Sequence, residues 1–378
     1  VLRTCLALLC SLVAVVPVGF YDPPRPLPQG APGDVVRSRV ADNPPTRGKA
    51  KAWHLMYLST GATGQRNTLT GTLLVPTGVD PAKAPVVGFA PGTHGPAFRC
   101  VPSGMVEAGA LYEQPAVDDL LRRGYAVAMT DYEGYQEQPR TTYIVGRAMG
   151  HAVLDVVRAA LRFREAGLSA TAKVAFRGYS QGGGAAMWAG ELQPDYAPEL
   201  NLVGVAAGGV PADLIQVALP LDGKRGYGLL AYALMGLDQA YPDLRLDDYL
   251  NDRGRADFAR MRREACTLEL LTDYQGLRLG DHTTTSPVLT PPWLARVREN
   301  KLGTKKIGVP VFQYHGDNDD LVYPPQAREL YRDYCQAGMN ISWRSFPTDH
   351  ITLVYTGNEA AHAFLADRFA GKPAQSTC

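Results

Sequence analysis

Short apolar bursts, not long heptads, set the rhythm of this chain. Residues 52–60, "AWHLMYLST", and 68–76, "TLTGTLLVP", read as strands, and the turn-rich "GATGQRN" between them predicts a hairpin. Then the pattern changes. "APVVGFAPG" (84–92) is continuously apolar, as expected of a strand buried on both faces; "YAVAMTDYEG" (125–134) reads as another buried strand, and "AKVAFRGYS" (172–180) and "LVGVAAGG" (202–209) read as strands. Helical spacing fills the gaps. It is clearest in "VGRAMGHAVLDVVRAALRFREAG" (145–167), where Val153, Val156, Val157, Ala160 and Leu161 form one stripe. The alternation resumes with a strand in "KKIGVPVFQYHG" (305–316), a helix in "PPQARELYRDYCQAG", a strand in "NISWRSFP" and a final helix in "NEAAHAFLADRFAG". Such alternation predicts an α/β fold: a mostly parallel sheet with helices on both faces.

Two regions depart from it. Residues 20–48 are proline-rich without periodicity and read as an extended N-terminal arm. Residues 212–304 hold helical pieces, one of them "DRGRADFARMRREACTLELL" (252–271), and a proline-rich stretch but no convincing buried strand. Because the sheet pattern returns at Lys305, they read as a helical cap inserted into one core, which then spans 49–211 and 305–378. The stretch "GYGLLAYALMGLDQAY" is apolar enough to line a pocket, 227–235 above all, or simply to pack the cap.

The first 19 residues, "VLRTCLALLCSLVAVVPVG", carry Arg3 and then an apolar run ended by Pro17 and Gly19. They read as a signal peptide, with a short membrane anchor as the alternative; bulky Leu9 argues against lipidation at Cys10. Export makes the cysteines informative. Cys5 and Cys10 would leave with the leader, and Cys100, Cys266, Cys335 and Cys378 remain, an even number that predicts two disulfides in one of three connectivities. None has C-x-x-C spacing, so a zinc site is not expected. With 38 basic and 37 acidic residues and no charged block, no nucleic-acid partner is expected. P-loop, H-E-x-x-H and dinucleotide G-x-G-x-x-G patterns are absent in the right context, and no cofactor is expected.

The chemistry centres on "FRGYSQGGG" (176–184). Ser180 falls between a strand and a helix of a parallel sheet, the setting of a nucleophile elbow, and Gly178 and Gly182 keep the turn clear. A serine nucleophile needs a base, and the base an orienting acid, in the order Ser, Asp, His for this fold. In "YHGDNDDLV" the spacing from the His-Gly turn selects Asp319, leaving Asp317 and Asp320 as solvated carboxylates. His350 and His362 are the histidines beyond Asp319; His350 reads as lying on a loop after a strand and is the candidate base, while His362 sits inside the last helix and reads as a surface or packing histidine. His315 precedes the acid and reads as shaping its loop, and His54, His151 and His282 carry no motif. An oxyanion hole would use the backbone N–H of Gln181 and one from the "PGTHG" loop, Thr93 or His94, which Gly92 and Gly95 shape.

These motifs together resemble the secretory lipase family, in its actinobacterial branch. The entry "FYDPPRPLPQGAPGDVVRS", "TGTLLVP", "GTHG" followed by "CVPS", "TDYEG", "GYSQGG", and "HGDNDDLV" before "DH" carry the resemblance, from about residue 20 to the end. It implies an exported α/β-hydrolase with a helical cap that cleaves carboxylic esters, often acylglycerols, with Ser180, Asp319 and His350 as triad and with contact to a lipid interface through the cap. It does not choose between Thr93 and His94, and the family's disulfide pairing does not carry over. Cys335 and Cys378 flank the last strand and helix and are the expected pair, leaving Cys100 with Cys266. Two other readings remain: a peptidase of the prolyl-oligopeptidase type, for which no clear terminus anchor is seen beyond Glu133 as a candidate, and a non-catalytic surface-binding protein on a hydrolase scaffold.

Overall fold

A computed structural model describes residues 18–42, 46 and 48–378. Residues 1–17 of the expected leader, Arg3, Cys5 and Cys10 among them, lie outside the described residues. No helix among the described residues is long and apolar enough to cross a membrane.

Nine strands form one sheet: β1 (Val35–Val40), β2 (Ala50–Thr60), β3 (Arg66–Pro76), β4 (Val86–Ala90), β5 (Ala126–Thr130), β6 (Val174–Tyr179), β7 (Leu202–Gly208), β8 (Val311–Gly316) and β9 (Ile341–Phe346). Their order is β1-β2-β3-β5-β4-β6-β7-β8-β9. The hairpin β2–β3 and its neighbours β1 and β5 pair antiparallel. Every pairing from β5 to β9 is parallel. This is the mostly parallel sheet with flanking helices that the alternation predicts.

Side-chain alternation divides the core. In β5, Ala126 and Ala128 face a layer that includes the helices Gly146–Arg162 and Gln181–Tyr196, while Val127 and Met129 face the layer of Gln114–Arg122 and Asn358–Phe369. With both faces covered, a strand has no solvated side, which explains the unbroken apolar runs.

The chain steps from β4 sideways to β5, then crosses back so that β6 lies on the other side of β4. The carboxyl ends of β4 and β6 therefore flank a switch point, where crevices open in sheets of this kind.

Three local readings change. The stretch 35–40, expected within an aperiodic arm, is edge strand β1; its "VVRSRV" is only half-buried, so burial left little pattern to read. The stretch 252–271 is two helices, Asp252–Glu264 and Thr267–Thr272, because Ala265 is extended and Cys266 caps the second while bonded to Cys100. His350, expected on a loop, begins a short helix, His350–Thr356, capped by Asp349. Between β7 and β8 the longer segments are helical, including Tyr227–Ala240 and Pro291–Glu299. The second disulfide joins Cys335 to Cys378.

Candidate active site

Ser180 sits between β6 and the helix Gln181–Tyr196 with φ 58° and ψ −123°, a conformation that L residues rarely adopt. Its N–H donates to Gly208 O at 2.9 Å, and its carbonyl accepts from Gly184 N at 3.0 Å. The turn is tight for a measurable reason. A Cβ at Gly178 would lie 2.0 Å from Gly182 O, and one at Gly182 would lie 2.0 Å from Ala90 O. Neither obstacle is a movable side chain, so only glycine fits at either place. The N–H of Gln181, in the first helical turn, has no acceptor within its own helix.

Asp319 and His350 follow the ends of β8 and β9. Asp319 Oδ2 lies 2.7 Å from His350 Nδ1, and both side chains are buried. The other oxygen, Oδ1, accepts from Leu321 N at 3.0 Å and Val322 N at 2.7 Å. His315 Nε2 stands 3.2 Å from Oδ2 and 2.8 Å from Val322 O. Burial by itself would raise the Asp319 carboxyl; the adjacent imidazole of His350 and the bonds from His315 and His350 outweigh it and hold the group well below the usual range. Tyr179 Oη donates to His350 O at 2.8 Å and fixes the backbone that carries the imidazole.

Ser180, His350 and Thr93 share the wall of one cavity, whose remaining lining includes Leu268, Ile351 and Tyr355. Its lining is mostly apolar, with Arg225 as the charged member, and Leu268, Ile351 and Tyr355 are exposed. Among the described residues no hydrogen bond joins Ser180 Oγ to His350. A second cavity also reaches Ser180 and Gln181. It is almost wholly aliphatic, with Leu214, Leu221, Ala233 and Leu234 in its wall. Of the stretch 227–235, Leu229, Leu230, Ala233 and Leu234 line this cavity, whereas Tyr227 and Tyr232 are tied elsewhere, to His282 and to Thr141.

The other sequence candidates separate clearly. Thr93 lies on the cavity wall; the His94 ring instead stacks on Tyr112 with Nδ1 2.9 Å from Gly92 O, and burial lowers its pKa to about 4, so it is neutral. Asp317 pairs with Arg328 and Asp320 with Arg225, both at the surface. His362 is buried with Nδ1 2.6 Å from Asp119, and His282 is buried between Tyr227 and Asp257. Glu133 accepts from Thr142 and Asn67 and lines neither cavity.

Sequence reasoning missed Tyr143 and Ile144, which line the aliphatic cavity, and Thr267, which lines the first. It also missed a fully buried ion pair, Arg177–Glu113, at 3.1 Å. The signal for the pair was present: an arginine inside the apolar run "KVAFRGYS" must find a partner if the strand is buried.

Comparison with known proteins places this site in context. The family profile described as Secretory lipase matches residues 105–377. The chain is 31% identical over 412 residues to Lipase 6 of Candida albicans, spanning 100% of this chain and 86% of that protein. It is 30% identical over 390 residues to the secreted triacylglycerol lipase LIP7 of Malassezia globosa, with 95% and 80% covered. Among solved structures, Candida antarctica lipase A in its closed state superposes with a TM-score of 0.84 at 24% identity, covering 96% of this chain and 85% of that one. The rice cell wall degrading esterase LipA from Xanthomonas oryzae gives 0.72 at 20% identity, with 90% and 96% covered. At these identities the two structures speak for the fold alone.

Proposed function

The chain belongs to the secretory lipase family, and from that premise we propose that it is an exported serine hydrolase cleaving carboxylic esters, acylglycerols among them, through an acyl-enzyme on Ser180. The observation that carries this reading is the buried Asp319–His350 pair, 2.7 Å apart, at the cavity that also holds Ser180 on a strained strand-to-helix turn.

Catalysis would run as follows. With Nδ1–H held by Asp319, His350 keeps its Nε2 lone pair for the serine proton. Rotation of the Ser180 side chain brings Oγ to Nε2 when substrate fills the cavity; such bonds commonly tighten only in the substrate complex. Oγ attacks the ester carbonyl, and the oxyanion is met by the N–H of Gln181 and that of Thr93. His350 then gives its proton to the departing alcohol. Water, activated by the same imidazole, attacks the acyl-enzyme, and the carboxylic acid leaves. Asp319 stays ionised throughout, stabilising the imidazolium that forms.

The two cavities divide the substrate. The aliphatic one beside Gln181 suits an acyl chain, whose transfer from water contributes about 0.8 kcal/mol per buried methylene. The one rimmed by Leu268, Ile351 and Tyr355 suits the alcohol, and this apolar rim would rest on a lipid surface. Residues 212–304 act as the cap over both. Glu133, with both oxygens engaged, is not available to anchor a peptide terminus, which favours ester over peptide substrates.

The test is Ser180→Ala with a p-nitrophenyl ester. Turnover should vanish with the folded state intact, and a fluorophosphonate should label the wild type but not the variant. Retained hydrolysis, or no labelling of the wild type, refutes the assignment.

A further inference from the structure

Residues 91–95 follow β4 and carry the proposed oxyanion donor, so the partners of their backbone groups can be accounted for one by one. Pro91 O accepts from Tyr132 Oη at 2.7 Å, and Gly92 N donates to Glu113 Oε2 at 2.7 Å. Gly92 O is 2.9 Å from His94 Nδ1. Thr93 O accepts from Tyr112 Oη at 3.3 Å and from Thr267 Oγ1; His94 O accepts from Thr267 N at 2.9 Å. Gly95 O accepts from Tyr135 Oη at 2.6 Å. Among the described residues the N–H groups of Thr93, His94 and Gly95 have no partner.

The peptide plane between Pro91 and Gly92 is thus pinned at both ends, by Tyr132 on its oxygen and Glu113 on its N–H. The next peptide carries the Thr93 N–H, and the hinge between the two is Gly92. A Cβ there would come 2.2 Å from Tyr112 Oη and displace that side chain, and glycine is also the residue that rotates most freely. His94 Nδ1 holds the oxygen of the Gly92–Thr93 peptide, and Tyr132 and Glu113 hold the peptide before it, so the turn at Gly92 is set from both sides.

We propose that Glu113, paired with Arg177, is a positioning residue for the oxyanion hole: its carboxylate fixes Gly92 and thereby aims the Thr93 N–H. This rests on the reading of Ser180 given above. Glu113 caps no helix with its side chain, and its oxygens are divided between Gly92 and Arg177 Nη1. Arg177 in turn stands in β6, three residues before Ser180, with its guanidinium 4.8 Å from the Phe89 ring centroid and bonded to Asn358. The pair therefore ties the donor loop after β4 to the strand that presents the nucleophile. A buried ion pair is not in general a source of stability, and apolar replacements of like volume often serve the fold as well. Orientation across two strands is what apolar replacements would lose.

That contrast supplies the test. Glu113→Leu/Arg177→Met removes both charges and leaves Gly92 without its acceptor. Glu113→Gln/Arg177→Met removes both charges but keeps an acceptor oxygen for Gly92. With p-nitrophenyl butyrate, the Leu/Met variant should stay folded, its Tm lowered by roughly a few degrees for the unmet Gly92 N–H, and keep its KM while kcat falls about 10²-fold, the scale of a small misplacement in an active site. Its affinity for an alkyl trifluoromethyl ketone, whose hemiketal oxygen occupies the hole, should fall by a similar factor. The Gln/Met variant should recover most of both. If the Leu/Met chain does not fold, Glu113→Asp keeps the charge for Arg177 but draws the carboxylate back from Gly92, and it should show the same fall in kcat. Wild-type kcat in the Leu/Met or Asp variant overturns the proposal, as does equal loss in both double variants. Fluorophosphonate labelling of Ser180 in every variant separates that failure from a failure of the serine assignment.

Discussion

Replacing Asp319 with Asn changes one atom and should stop the reaction, for reasons that can be worked from its neighbours. Asp319 Oδ1 accepts two backbone N–H groups, from Leu321 and Val322. An Asn side chain must present its oxygen there, because the reverse orientation would set its NH₂ against both and leave two buried donors unmet, at about 1–3 kcal/mol each. Its NH₂ therefore faces His350 Nδ1, in place of the carboxylate oxygen now 2.7 Å away. The imidazole must answer with a lone pair at Nδ1, which moves its proton to Nε2. In that tautomer it cannot take the proton of Ser180, and the charge that stabilises the imidazolium is also gone. The expected loss in kcat is about 10⁴-fold, or about 5 kcal/mol, with little change in KM. Steady-state hydrolysis of p-nitrophenyl butyrate measures it, with Asp317→Asn and Asp320→Asn as surface controls that should behave as wild type. A Asp319→Asn enzyme within tenfold of wild type, or a control that falls as far, refutes the reasoning.

Ala233→Phe should fill the aliphatic cavity next to Ser180; excluding three acyl methylenes would lower kcat/KM for a decanoate about fifty-fold relative to a butyrate, and an unchanged chain-length profile would reject the acyl assignment. Cys335→Ser/Cys378→Ser opens a link of sequence separation 43 and should cost roughly 2–4 kcal/mol in urea unfolding with kcat intact. Cys100→Ser/Cys266→Ser should lower kcat as well, because that bond joins the 91–100 segment to Thr267; equal kcat in the two variants would contradict this. Burial raises Asp155 from 3.8 to about 6 against its bonds from Ser59, Tyr196 and Arg158. Since the folded state holds that proton more tightly, the contribution is complete below pH 4 and is lost as pH rises through 6. The stability of wild type minus Asp155→Asn should therefore fall by on the order of 3 kcal/mol from pH 4 to 7, and a gap that stays flat or widens would disprove it.

Much of the fold was legible because its signals are local. A strand covered on both faces is mostly apolar, so β4, β5, β6 and β7 announced themselves even with Arg177 inside β6. Edge strand β1 did not, since a half-buried edge tolerates the arginines of "VVRSRV". The break at Ala265 was hidden for a different reason. Helical spacing continues across it, and it is held open from far along the chain, by the disulfide to Cys100 and by bonds such as that from Ala97 N to Ala265 O and from Arg99 to Glu264 O.

By itself, the sequence determined the strand–Ser180–helix junction, the glycines that clear it, and the order in which Asp319 and His350 follow. Those are properties of short segments, set by sterics over a few residues. Tertiary structure alone decided which residues surround them. Glu113 meets Gly92 and Arg177, Thr267 reaches Thr93 and His94, and two cavities converge on Ser180. Each of these joins segments distant in the chain, where no spacing rule applies and only the packing of both sheet faces selects the partner.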